Sequence, residues 1–134
     1  MKRTTLLSTG TIAWGVIIFV LCAMPSSDLP NPGLNIPHLD KIVHFGMHFI
    51  MALFIITLLY KQNRLSWPAI LGIAIFFTML YGGLIEILQA SYFNRGGDWW
   101  DEIANITGAV TACILYRPLQ KEKDKWISRF KNGK

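Results

Sequence analysis

Charge is scarce in this 134-residue chain: 16% of its residues are Asp, Glu, Lys or Arg, while 52% are hydrophobic. Soluble domains carry about a quarter charged residues, so the deficit points to a membrane protein. Cysteine is scarce too. Cys22 and Cys113 each sit inside an apolar run, with neither a CxxC pair nor a zinc-type Cys/His spacing. That argues against a disulfide framework and leaves two small packing residues. No glycine-rich phosphate loop is present, which removes the usual nucleotide-binding chemistry. There is no Ser-His-Asp arrangement, no internal repeat, no low-complexity segment and no long charged stripe to line a pore. HExxH is missing as well: the paired histidines read His44-Phe45-Gly46-Met47-His48.

What the chain does have is long hydrophobic runs. Residues 5–24 match the roughly 20 residues needed to cross a hydrocarbon core. Lys2 and Arg3 ahead of such a run also open a secretory signal. This run is long, however, and no A-x-A pattern follows it. Leu21, before Cys22, is bulky where a lipoprotein signal has a small residue, so the run is expected to be a retained span. Pro25, Pro30, Pro32 and Pro37 make 25–37 a loop, because each removes a backbone donor. A second helix is expected over 39–60, with Asp40 at its positive end. A third is expected over 66–89, with Ser66 as cap and Pro68 in its first turn. Gly96-Gly97 marks a turn, and a fourth helix is expected over 98–116, closed by Pro118. The expectation is an all-α integral membrane bundle of four transmembrane helices over 1–118, with a basic juxtamembrane tail over 119–134. In that tail Trp126, Ile127 and Phe130 share a helical face, with Lys121, Lys125 and Arg129 beside it. The pattern suits a segment lying on anionic lipid, and equally a solvated tail.

Four spans put both termini on one side. With that side cytoplasmic, eleven of the thirteen basic residues fall on inner segments: Lys2, Arg3, Lys61, Arg64, Arg117, Lys121, Lys123, Lys125, Arg129, Lys131 and Lys134. Lys41 and Arg95 alone fall outside. This is the positive-inside pattern. It accounts for the net charge of +5 by orientation and lipid contact, so no nucleic-acid partner is expected. Trp99 and Trp100 suit an outer aromatic belt, and Trp67 an inner one.

The polar residues then converge. Helix two enters from outside with Asp40, Lys41, His44 and His48; helix three leaves with Glu86 and Gln89; helix four enters with Asp98, Asp101 and Asn105. Spacings of three and four keep each set on one helix face. Ionisable groups at membrane depth are costly and therefore candidates for function. Gly82, Gly83 and Gly108, with Ala104 and Ala112, are small residues that let helices approach closely.

The pieces Asp40-Lys41-x-x-His44-Phe45, Glu86-x-x-Gln89 and Arg95-x-x-Asp98-x-x-Asp101-x-x-x-Asn105-x-x-Gly108 resemble, in order and spacing, the VanZ-like family. These are small bacterial membrane proteins named for a teicoplanin-resistance protein. The resemblance covers roughly residues 10–116. His48 stands where the family commonly has a tyrosine, and Ala112 where a glycine often follows. The resemblance implies a multi-pass protein of the bacterial inner membrane, acting on envelope components or on sensitivity to glycopeptide antibiotics. It supplies no reaction.

Three readings of the cluster follow from its chemistry. In one, it binds or processes an anionic lipid-linked or cell-wall component. Lys41 and Arg95 would then hold phosphate or carboxylate, His44, Glu86 or Asp101 would serve as acid or base, and Asp40, Gln89, Asp98 and Asn105 would complete the binding face. In the second, His44, His48, Glu86 and Asp101 hold a divalent metal, although no cofactor is required. In the third, the same side chains satisfy one another and lock the helices of a scaffold or helper protein. A small transporter fits less well, because its charges would sit near the midplane of repeated halves.

Overall fold

The computed structural model describes residues 2–24, 37–93 and 97–132. Arg95, Gly96 and most of the proline-rich loop lie outside the described residues. All regular structure in the described residues is helical: α1 (Lys2–Ala23), α2 (Leu39–Gln62), α3 (Trp67–Tyr92) and α4 (Trp99–Asn132). Three segments, Thr4–Ala23, Leu39–Gln62 and Trp67–Tyr92, are long and apolar enough to cross a membrane. α4 is not among them. Asp101, Glu102 and Asn105 lower the hydropathy of its first turns, yet all three are buried against the other helices.

Cross-helix contacts fix the arrangement. Trp14 donates from Nε1 to the Met47 carbonyl at 3.0 Å, tying mid-α1 to α2. Gln89 donates from Nε2 to the Cys22 carbonyl at 3.0 Å, joining the ends of α1 and α3. The starts of α2 and α4 meet that same end through Lys41, Asp98 and Asp101. The bundle therefore runs up-down-up-down. α4 packs on α2 and α3, while α1 packs on α2 and α3 from elsewhere.

The packing face of α2 is His44, Met47, His48, Met51, Ala52 and Ile56, the 3–4 spacing of a single helical stripe. Its counterpart on α4 is made of small residues. Ala109 and Ala112 lie on Ala52, and Gly108 lies against the α2 backbone at Phe45 and Phe49. At the far end Tyr116 packs with Ile56, Ile70 and Ala74, and the Arg117 guanidinium lies 4.5 Å over the Trp67 ring. The outward faces carry large apolar residues such as Leu6, Ile12, Phe77, Ile87 and Ile114, as lipid contact requires.

Several expected boundaries move, α2 for instance running on to Gln62. α3 continues three residues past Gln89, to Tyr92. α4 does not stop at Pro118, which lies inside a helix that reaches Asn132. Proline there removes one N–H and strains one turn, but residues 119–132 are mostly good helix formers and carry the helix on. Ser66 does occupy the cap position of α3, with Pro68 in the first turn, but its side chain makes no capping hydrogen bond.

Candidate functional site

The polar residues sit where α3 ends and α2 and α4 begin, in layers set by helical rise. Outermost is Lys41. Its Nζ lies 2.9 Å from Asp40 Oδ2, 2.7 Å from Asp98 Oδ2 and 3.0 Å from Asp101 Oδ1. An ammonium has three N–H groups, and here each has a carboxylate. Asp98 also caps α4, accepting from the Trp100 N–H at 2.9 Å. Its own N–H donates to Glu86 Oε2 at 3.1 Å, so the cap is tied to α3.

One turn deeper lies the buried trio His44, Glu86 and Asp101, contributed by three helices. One ligand atom from each lies within 4.8 Å of the others. His44 Nδ1 is 3.7 Å from Glu86 Oε1, and His44 Nε2 is 4.0 Å from Asp101 Oδ2. Neither separation is a hydrogen bond. The bond His44 does make is from Nδ1 to Asn105 Oδ1, at 3.2 Å. Asn105 is oriented in turn by donating from Nδ2 to Glu102 Oε2 at 3.1 Å. Room for this pair comes from Gly82, where a Cβ would lie 2.6 Å from Asn105 Nδ2 and 2.7 Å from Glu102 Oε2.

His48 is fully buried, one turn below His44 and outside the trio. It bonds through Nδ1 to the His44 carbonyl at 3.2 Å. A spacing of four stacks two histidines along a helix, about 6 Å apart in rise, while Glu86 and Asp101 stand at the level of His44. Gln89, expected in the binding face, instead serves as a strut to α1. Asp40 is exposed and belongs to the Lys41 layer.

Glu102 had no role assigned from sequence, yet it is only 8% exposed and orients Asn105. Its spacing of three from Asn105 and its position in the first turn of a polar-faced helix were the available signal. Together Asp40, Glu86, Asp98, Asp101 and Glu102 bring five carboxyl groups to this end of the bundle, against Lys41 as the one lysine or arginine among the described residues here. A cleft of about 220 Å³ opens between α3 and α4. Gly83, Ile87, Ala90 and Trp99 form its apolar walls, and Glu86, Asp98 and Glu102 its acidic side. Ile87 and Trp99 are 63% and 84% exposed, so the cleft opens on the lipid-facing surface.

Not every buried polar atom at this end is satisfied. Glu86 Oε1 has no hydrogen-bond partner among the described residues, although Glu86 is only 9% exposed. Buried carboxylate oxygens are nearly always paired, and leaving one unpaired costs about 1–3 kcal/mol or more.

A protein-family model described as VanZ/LLP1 matches residues 6–120 of the chain. No curated protein and no solved structure matches it.

Proposed function

This chain belongs to the VanZ/LLP1 family, and from that premise we propose that it is a four-span inner-membrane protein which binds or modifies a lipid-linked component of the cell envelope at the outer leaflet. The apolar part of such a ligand would lie along Ile87 and Trp99, and its polar head would reach Glu86, His44 and Asp101. Asn105 holds His44 Nδ1, which leaves Nε2 as the imidazole atom offered to that head. An effect on glycopeptide sensitivity would follow if the bound component were a cell-wall precursor.

One observation carries the reading. A structural lock satisfies its buried groups. The Lys41 layer does so, but the trio beneath it leaves Glu86 Oε1 unpaired beside two further polar groups. The scaffold reading keeps its support in the outer layer, where Lys41 is saturated by three carboxylates.

Glu86→Gln is the direct test, since the amide still accepts from the Asp98 N–H and keeps the helix geometry. In native mass spectrometry of the detergent-purified protein, wild type is expected to carry an envelope lipid. The variant should retain it at least about tenfold less, a difference of about 1.4 kcal/mol. Equal lipid on both proteins would count against the site.

The orientation is tested separately. Residues 98–116 are proposed as the fourth span, with both termini cytoplasmic, supported by the basic residues beyond that segment. A single cysteine placed in 90–97, on a background lacking Cys22 and Cys113, is expected to react with an impermeant maleimide added to intact cells. Labelling only after lysis would reverse the topology.

A further inference from the structure

Five carboxyl groups crowd the end of the bundle that is proposed to receive an envelope lipid, and Lys41, the cation placed among them, is already occupied. Within the inner trio, Lys41 reaches only Asp101, through Oδ1, and Asp101 Oδ2 and Glu86 Oε1 stay clear of it. Because His44 Nδ1 donates to Asn105, a neutral His44 presents a lone pair at Nε2, aimed at Asp101 Oδ2 4.0 Å away. Glu86 Oε1 joins them, buried and without a hydrogen-bond partner among the described residues. Three electron-pair donors thus gather with no hydrogen bond among them. Such a convergence is unfavourable unless something positive lies between them.

We propose that His44, Glu86 and Asp101 form a binding site for one divalent cation, with coordination positions open toward the α3–α4 cleft. The inference rests on reading this cluster as a ligand site, and it supplies what an anionic headgroup would need in an acidic pocket. The geometry is close to that of a bound ion. Nitrogen and oxygen ligands sit at about 2.0–2.2 Å from a tetrahedral zinc, so neighbouring ligands of one ion lie about 3.3–3.6 Å apart. The trio's atoms, all within 4.8 Å of one another, would close by at most about 1.5 Å around an ion, a movement within reach of side-chain rotation. One imidazole with two carboxylates is a donor set for Zn²⁺, Mn²⁺ or Fe²⁺. The supporting layer is also present: Asn105 fixes the imidazole by its distal nitrogen, Glu102 orients Asn105, and the Asp98 N–H bonds the second oxygen of Glu86. Hydrogen bonds of this kind orient metal ligands in general. The neighbouring acidic group, Asp40 with Asp98 and Asp101, is different, because the Lys41 ammonium already sits among its oxygens.

The test uses the detergent-purified full chain, stripped with chelator, equilibrated with Mn²⁺ alone or Zn²⁺ alone, desalted and analysed for metal. Wild type is expected to retain about one ion per chain and to gain thermal stability from it. His44→Gln and Glu86→Gln are each expected to bind at least about tenfold more weakly, while Glu122→Gln, an acid on the exposed end of α4, matches wild type. No ion on wild type overturns the proposal, as does wild-type binding by both trio variants. If Glu86→Gln does not fold, His44→Gln and the ion-dependent rise in Tm decide alone. Measuring lipid capture with and without chelator separates the two readings. Lipid held equally well by a protein that binds no ion overturns the cation site and leaves the lipid site standing. An ion bound by a protein that captures no lipid supports the cation site and overturns the lipid reading.

Discussion

Replacing Gly108 by valine is expected to dismantle the contact between α4 and α2. Even a single Cβ at this position would collide with the Phe45 carbonyl oxygen and would lie 3.1 Å from the Phe49 backbone nitrogen. Both obstacles are backbone, so no side chain can swing away and the helices themselves must separate. Overpacking of this kind costs about 3 kcal/mol. The consequences reach the site, because Ala109 and Ala112 rest on Ala52 through the same seam, and Asn105 lies one turn nearer the cluster. A Tm lower by on the order of 10 °C, together with loss of ligand and metal retention, is the expected outcome in a thermal-shift assay. A variant as stable as wild type would mean that α4 does not sit this close to α2.

The second large effect is expected from Lys41→Met, which keeps length and bulk but removes the ammonium. Asp40, Asp98 and Asp101 then face one another uncompensated, and Asp101, whose side chain is 11% exposed, is the worst placed. Lys41 itself is 21% exposed at its side chain, so the loss falls between that of a surface pair and that of a buried one. A Tm lower by roughly 5 °C is expected. The deficit should shrink as pH falls through the carboxylate range, because protonated carboxyls no longer repel one another. Added Mg²⁺ should also recover part of it, since the three oxygens that held the ammonium are then free for a hard cation. Lys41→Arg should lose much less. A deficit that persists unchanged at low pH would show that Lys41 acts through packing rather than charge.

Lys41 also illustrates how far the residues themselves could be read. The sequence suggests a lysine that holds phosphate or carboxylate, at the start of a helix beside Asp40. In the fold two of its partners come from 57 and 60 residues away, and with Asp40 they leave it no free donor. His48 is a similar case. Its spacing of four from His44 correctly predicts a shared face, but that spacing says nothing of depth relative to Glu86 and Asp101, so His48 falls below the trio. The role of Glu102 was hidden for a related reason: its partner, Asn105, is local, but the gap both occupy is created by Gly82 on another helix. Pro118 misled in the opposite direction, because a local helix-breaking rule was outweighed by the helix-forming residues after it.

Legible in the residues alone were the all-helical character of the chain, three of the four expected spans and the faces on which its polar residues lie, while its motifs carried the resemblance to the family. The helices and their faces follow from local properties: run length against bilayer thickness, and a 3.6-residue period that sorts side chains around each helix. Helix packing settles which carboxylates neutralise Lys41 and which three groups from α2, α3 and α4 are brought together. Those outcomes depend on the rotation and depth of each helix against its neighbours. They are set by the room Gly82 leaves for the Asn105 and Glu102 side chains and by close backbone approach at Gly108, and no periodicity within a single helix encodes them.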